Sequence, residues 1–334
     1  MEATNPDHRP GPGDRSLPLR LSGDTEGAEH PLTVALMAGG FSPPPLAEAA
    51  CCSLLDLFVA PGQRLSDHWH ASLRAMDRSV PTETTLCLCG GSTPLPRSTL
   101  GSWRTILDET DYRGPAGALR DAVANSTPRD SRGPVLAIEA GRVCSLDLAS
   151  LVAFHRERSA DVTIGVLPGG SPAGVYMLER SMLDAIPEKG FMDLKEQYLD
   201  RLVEKGAELF VHRFESGSCR PARRLREYIE VIAPGCATAG VLAAPQLVAA
   251  RGASGSLICD GAEVSPDAVV VNSVVMPSGR VEPGATVVRS LVCEGCVVPG
   301  GLTVIDKVVG PRGVISDDEA SRPGDRRIQR RGAS

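Results

Sequence analysis

Apolar residues run through this chain in two rhythms, and each predicts its own kind of layer. From residue 32 to residue 40 the sequence Leu-Thr-Val-Ala-Leu-Met-Ala-Gly-Gly stays apolar up to its glycines. That pattern predicts a strand buried on both faces, running into a phosphate-sized turn. Strand-like runs recur at residues 85–89, 135–139, 162–167 and 209–214, with helical spacing between them. Residues 146–158 place Leu148, Leu151, Val152 and Phe154 on one side of a helix. Residues 193–205 bring Leu194, Tyr198, Leu199 and Leu202 together, with Gly206 as a C-terminal cap, and residues 223–235 are helical and arginine-rich at their start. Strands alternating with helices predict an α/β domain around a mostly parallel sheet.

Beyond an Ala- and Gly-rich connector the rhythm changes near Ser254. A small or turn residue stands three positions before a valine in Gly261/Val264, Asp267/Val270, Gly284/Val287, Gly295/Val298 and Gly301/Val304, and several of these valines are six apart. Short strands at this period stack as a parallel β-helix, each coil burying its valine against the coils above and below. An antiparallel β-sandwich of short strands is the alternative, although hairpin strands rarely hold such a register over so many turns.

Composition narrows the function classes. A net charge of -6 over 334 residues argues against a dedicated nucleic-acid surface, and the basic cluster Arg326, Arg327, Arg330 and Arg331 reads as a solvated tail. Residues 1–30 carry no apolar run, so neither a secretory signal nor a membrane anchor is expected there. The ten cysteines, Cys51, Cys52, Cys87 and Cys89 among them, lie largely in or beside apolar runs, where cysteine acts as a small hydrophobe, and a reduced cytoplasmic setting fits them. Cys293-Glu-Gly-Cys296 is the one CxxC, and no further His or Cys stands near it to complete a zinc site. His68 and His70, either side of Trp69, show no metal-ligand spacing and read as surface or partly buried histidines.

Several stretches, in order, resemble the sugar-nucleotide pyrophosphorylases, in particular members similar to mannose-1-phosphate guanylyltransferase and glucose-1-phosphate adenylyltransferase. They are Ala38-Gly39-Gly40, the run Arg113-Gly-Pro-Ala-Gly-Ala-Leu, Ser145-Leu-Asp-Leu with Ala153-Phe-His-Arg-Glu-Arg, Ala173-Gly-Val-Tyr, Asp193-Leu-Lys-Glu-Gln, and the C-terminal hexapeptides. The resemblance implies a Rossmann-like nucleotidyltransferase domain with a mostly parallel sheet, followed by a left-handed parallel β-helix. The expected organisation is a disordered tail over 1–30, the α/β domain over 31–235, a connector over 236–253, the β-helix over 254–310 and a disordered basic tail over 311–334. The implied reaction joins a sugar 1-phosphate to a nucleoside triphosphate and releases pyrophosphate, with Mg²⁺ as cofactor.

The charges that this reaction requires are altered. In the family the glycine turn leads to an arginine and then a lysine that neutralise phosphates. Here Pro43 and Pro44 stand near the first, and Cys51-Cys52-Ser53-Leu54 replaces the segment that holds the second. On the metal side, Glu139-Ala-Gly-Arg142 puts Gly141 near the position of the family's aspartate, with Arg142 opposing a cation. Glu139 and Glu215 are the candidate metal ligands that remain. Pro172 takes the place of a sugar-binding asparagine. The nucleotide-binding candidates are Ala38, Gly39, Gly40, Gly114, Pro115, Ala116 and Gly117, through backbone groups, although Pro115 lacks an amide donor. No catalytic residue is assigned.

The expectation is therefore a cytoplasmic protein of this architecture, with weak or lost catalysis, that binds a nucleotide or nucleotide sugar. It is expected to meet neither nucleic acid nor membrane, and its β-helix offers a surface for homo-oligomerisation. One alternative is an active nucleotidyltransferase that recruits Arg64, Arg113, Arg142 or Lys195 for phosphates and Glu139, Asp147 or Glu215 for the metal. Lys195 and Glu196 read as a solvated pair on an exposed helix face. Another alternative is an assembly subunit acting through the β-helix. The sequence speaks against an acyltransferase with a histidine base in the β-helix, since no histidine follows His212.

Overall fold

The computed structural model describes residues 30–39, 43–91, 94–97, 103–108, 113–128, 131–232 and 255–320. From the N-terminus the chain forms β1 (Leu32–Met37), α1 (Pro45–Ala50), α2 (Leu65–Asp77), β2 (Thr82–Gly90), β3 (Trp103–Asp108), α3 (Gly114–Ser126), β4 (Val135–Glu139), β5 (Arg142–Ser145), α4 (Leu148–Glu157), β6 (Val162–Val166), β7 (Pro172–Leu178), α5 (Leu199–Glu204), β8 (Leu209–Arg213), β9 (Ser218–Pro221) and α6 (Leu225–Ile232). Seven strands make one sheet in the order β8-β6-β7-β4-β1-β2-β3. Neighbours are parallel except at β7, which runs antiparallel to both β6 and β4.

β1 lies centrally with both faces covered, which is why it shows no polar alternation. Leu32, Val34 and Leu36 pack in one layer with Trp69 and Leu73 of α2 and Leu151 and Val152 of α4. Ala35 faces the other layer, with Leu119 and Val123 of α3 and Leu194, Tyr198 and Leu202 of the segment that ends in α5. Within α4 the buried stripe is Leu148, Leu151, Val152 and His155, whereas Phe154 is only half-buried. His155 sits in the stripe with its Nδ1 2.9 Å from the Thr163 hydroxyl, while its Nε2, which makes no hydrogen bond among the described residues, lies 3.4 Å from the Glu179 carboxylate. The helix expected over 193–205 begins as a π-turn, Leu194–Tyr198, before α5. The Asp193 carboxylate caps it, accepting from the amides of Lys195 (2.7 Å) and Glu196 (2.9 Å).

β5 and β9 pair antiparallel beside the sheet, with Cys144 opposite Cys219, and a disulfide joins these two cysteines. For this pair the reading of the cysteines as reduced hydrophobes does not hold. It does describe Cys52, Cys259 and Cys293, which are buried between the two domains. Burial pushes the thiols of Cys52 and Cys259 up to about 12, so neither is a ready nucleophile. No helix among the described residues is long and apolar enough to cross a membrane.

The C-terminal domain is built of short parallel strands in three columns, consistent with a β-helix. Leu257 pairs with Val274, Val274 with Leu291 and Leu291 with Val308, and the other two columns repeat the same step. That step is 17 residues, whereas three hexapeptides would take 18. Two legs of each coil keep the six-residue spacing and the third is one residue shorter. The short corner turns through a left-handed residue, Asn272 (φ 46°), Arg289 (φ 44°) or Asp306 (φ 52°), and Ser273 or Ser290 follows the first two. Each serine stands in for the missing backbone. Ser256 Oγ accepts the Ser273 amide, Ser273 Oγ accepts the Ser290 amide and Ser290 Oγ accepts the Lys307 amide, all at 3.1 Å. Inside, Val270, Val275, Val281, Val287, Val292, Val298 and Val304 form the core.

The first column turns Leu257, Val274, Leu291 and Val308 outward against Leu46, Ala49 and Ala50 of α1 and Tyr228 and Ile229 of α6. The Tyr228 hydroxyl donates to the Phe58 carbonyl (2.6 Å), so even its polar end is satisfied in this seam. Residues 311–320, assigned from sequence to the tail, continue the fold. Gly313–Ile315 folds back antiparallel on Val308–Gly310, and the short helix Asp317–Ala320 follows, with Arg224 Nη1 2.7 Å from Asp318. Residues 1–29, 233–254 and 321–334 lie outside the described residues.

The serine ladder makes a direct prediction. Ser273→Ala leaves the buried amide of Ser290 without its acceptor, a loss of about 1–3 kcal/mol for an orphaned buried donor. Urea unfolding is expected to show a lower midpoint, whereas an unchanged midpoint would show that the ladder contributes nothing.

Candidate functional site

The carboxyl ends of β1 and β4 open into a cavity of about 310 Å³. Open α/β sheets bind ligands at this edge, and the volume lies in the range of small-molecule pockets. Ala38 and Gly39 line it from just after β1, Glu139 from the end of β4, Gly141 from the turn that follows, Arg142 from the start of β5, and Pro115 from the start of α3. Asp193, Lys195 and Glu196 come from the capped π-turn, and Arg223 from the residues before α6.

The turn after β4 is held from three sides. Ala140 donates its amide to the Met37 carbonyl (3.1 Å), which extends the β1 pairing by one residue. The buried indole of Trp69 donates to the Ala140 carbonyl (2.9 Å), and His68 Nε2 lies 2.7 Å from the Cys144 carbonyl. The Ala222 amide donates to the Gly141 carbonyl (2.9 Å), bringing the residues after β9 onto the turn. His68 is thus a buried structural clamp. Burial lowers its pKa below the ordinary 6.5, even though the Cys144 hydrogen bond pulls the other way.

Glu139 is the centre of the site. Its Oε1 lies 2.5 Å from Lys195 Nζ, its Oε2 lies 2.8 Å from Arg142 Nε, and the Tyr176 hydroxyl donates to Oε1 at 3.2 Å. Burial alone would raise its pKa, but the hydrogen bonds and charges of Lys195 and Arg142 outweigh it and hold the carboxyl below its ordinary range. Tyr176 is pushed up, first by burial and then by the Glu139 charge, and stays a neutral donor. Space for Arg142 comes from Gly174 on β7. This glycine has φ +73°, and a Cβ there would stand 2.6 Å from Arg142 Nε and 3.1 Å from Glu139 Oε2.

The other sequence candidates divide around this centre. Ala38, Gly39 and Pro115 line the cavity, while Gly40 lies outside the described residues. Gly114, Ala116 and Gly117 sit behind the lining. Ala116 is buried and donates its amide to the Met192 carbonyl (3.2 Å), and Gly114 (φ +70°) presses so closely on Met192 that a Cβ would lie 2.5 Å from the same oxygen. The Ala38 amide is also committed, to the Leu88 carbonyl (2.8 Å). The glycine turn therefore offers a ligand fewer free amides than its sequence suggests.

The candidate metal pair is not brought together. Glu215 is exposed beyond β8, where its charge acts on His212, and it does not line the cavity. Among the described residues no three His, Cys, Asp or Glu side chains gather as a metal set. Glu139 already lies between two cations, so the donors present do not fit a divalent ion that seeks several anionic oxygens. Of the displaced cations considered from sequence, Arg64 faces Asp56 (3.5 Å) and the Phe58 ring, and Arg113 is paired with Asp121. Lys195, read from sequence as a solvated helix charge, instead reaches Glu139. Its amide and that of Glu196 donate to the Asp193 carboxylate, and all three residues line the cavity. Arg223 was not singled out from sequence.

No protein-family model matches the chain. Over 200 residues it is 26% identical to the mannose-1-phosphate guanylyltransferase of Mycobacterium tuberculosis (strain ATCC 25618 / H37Rv). The alignment covers 51% of this chain and 52% of that protein, so the chain spans about half the length of the curated relative it matches. The two are distant homologues over this half of the chain.

Two outcomes are expected from the geometry. Gly174→Ala should cost about 1–2 kcal/mol for its left-handed backbone alone, with a further loss from displacing Arg142. Urea unfolding checks this, and a wild-type midpoint would contradict the tight seat. For His68, folding favours the neutral ring, so its stabilising contribution is full above about pH 6.5 and drains away as pH falls through its lower folded value. His68→Gln should flatten the fall in unfolding free energy on going from neutral to mildly acidic pH, and an unaltered slope would show that His68 is not the group responsible.

Proposed function

We propose that this chain is a member of the sugar-nucleotide pyrophosphorylases that binds a nucleotide or nucleotide sugar in the cavity at the ends of β1 and β4, with weak or lost transferase activity. The observation that supports the reading is the pairing of Glu139 with both Lys195 and Arg142. Joining a sugar 1-phosphate to a nucleoside triphosphate brings two anions into contact, and cations must be free to receive them. In this cavity two of the nearest cations are spent on an internal carboxylate. The segment that would extend the glycine turn toward phosphates enters α1, whose Leu46, Ala47, Ala49 and Ala50 are buried at the domain seam. Loss of one preorganised donor costs on the order of 10²- to 10³-fold in rate, and here several positions are changed together.

An active enzyme remains the second reading because Arg142 and Lys195 do line the cavity. Two assays on the full chain separate the readings. Pyrophosphate release from each nucleoside triphosphate with a panel of sugar 1-phosphates and Mg²⁺ is expected to stay at background, and robust turnover would establish the enzyme. Calorimetric titration with nucleoside triphosphates and nucleotide sugars is expected to show binding, and silence across the whole panel would remove the ligand-binding proposal.

A further inference from the structure

We infer that the cavity receives the phosphate group of its ligand on Arg142 and Lys195 without a divalent cation, and that the Glu139 carboxylate is a built-in anion which the ligand displaces. The inference rests on reading the cavity as a site for a phosphate-bearing ligand. Three donors converge on Glu139, from Lys195 Nζ at 2.5 Å, Arg142 Nε at 2.8 Å and the Tyr176 hydroxyl at 3.2 Å. Two of them are cationic, and a planar guanidinium beside an ammonium is also the chemistry that holds phosphate oxygens. An incoming phosphate presents the same kind of acceptor to the same donors.

The donors can change partner. Arg142 meets Glu139 through Nε alone, and the rest of its guanidinium forms no hydrogen bond among the described residues. Lys195 is 45% exposed, so its ammonium can swing from carboxylate to ligand with little desolvation. Arg223 lines the same cavity, and its guanidinium forms no ion pair or hydrogen bond among the described residues. Against these stand Glu139 itself, Glu196, and Asp193, whose carboxylate is occupied capping the turn. A divalent ion would approach Glu139 only past two like charges, whereas an anion is drawn by the same charges. Glu139 therefore keeps the empty cavity neutral and sets a threshold that a ligand must overcome.

The test uses inorganic pyrophosphate as probe, titrated calorimetrically into the full chain in EDTA, with Mg²⁺ alone titrated separately. Wild-type protein is expected to bind pyrophosphate without metal and to give no heat with Mg²⁺. Glu139→Gln removes the competing charge, and pyrophosphate should bind it about tenfold or more tightly, as expected when hydrogen bonds to charged groups are released to the ligand. Lys195→Met should weaken binding by a similar factor. Its exposed side chain makes it the arm to rely on if Glu139→Gln does not fold, as judged by circular dichroism. Pyrophosphate binding that requires Mg²⁺, Mg²⁺ binding that Glu139→Gln abolishes, or equal affinity in wild type and both variants would each overturn the inference. The two proposals fail separately. Nucleotide sugars that bind wild type and both variants equally well would refute this inference alone. Pyrophosphate that responds to the variants while no nucleotide binds would refute only the nucleotide reading.

Discussion

One carboxylate shared by two cations organises the functional end of this protein. The Glu139 side chain leaves the last residue of β4, and its position decides where Arg142 and Lys195 can lie. Much of the surrounding structure serves that arrangement. The buried Trp69 and His68 of α2 grip the turn from behind, Gly174 vacates the volume that Arg142 fills, and the Asp193 cap orients the segment from which Lys195 projects. Both cations are engaged by the carboxylate and rigidly supported, so the site has cations without having them freely available.

The second organising contact is the seam between the domains. In a sheet of this kind the chain that follows β1 is well placed to meet phosphates, yet here it turns through Pro43 and Pro44 into α1 and packs Leu46, Ala49 and Ala50 against the outward column of the β-helix. Apolar burial takes the place of charge at that point. The same column presents leucine and valine to the seam, while a second column leaves Val269 and Ile305 in solvent, 44% and 45% exposed. The β-helix is therefore not uniform around its axis, and one face is committed to holding α1 in place.

Those parts of the fold whose burial pattern repeats locally could be read from the sequence. β1, β4 and β6 are apolar on both faces, the turns of 193–205 carry one clean stripe, and the valines of the β-helix recur at a short period. β7 escaped notice because Pro172, Ala173 and Gly174 begin it with residues that disfavour strands, and only antiparallel pairing with β4 and β6 makes it one. The 17-residue coil was hidden by its two regular legs, since the shortened corner depends on a serine hydroxyl replacing backbone, which no apolar period reports. At the site, Ala38, Gly39, Pro115 and Glu139 do meet at one cavity. Glu215 was placed by its neighbours in sequence, whereas the chain closes on Gly141 through Ala222. Lys195 was discounted because exposure on a helix usually means solvation, and nothing local reveals that Glu139, 56 positions earlier, stands opposite it.

The account turns on whether Glu139 is ionised and held by both cations. The most direct measurement is a carboxyl-carbon NMR titration of ¹³C-labelled protein, with the Glu139 resonance identified by its absence in Glu139→Gln. The structure predicts a titration midpoint below the ordinary 4.5 of a glutamate, shifted upward when Lys195 is replaced by methionine. A midpoint at or above 4.5, unmoved by the loss of Lys195, would show that burial dominates and that the cations are free for another partner.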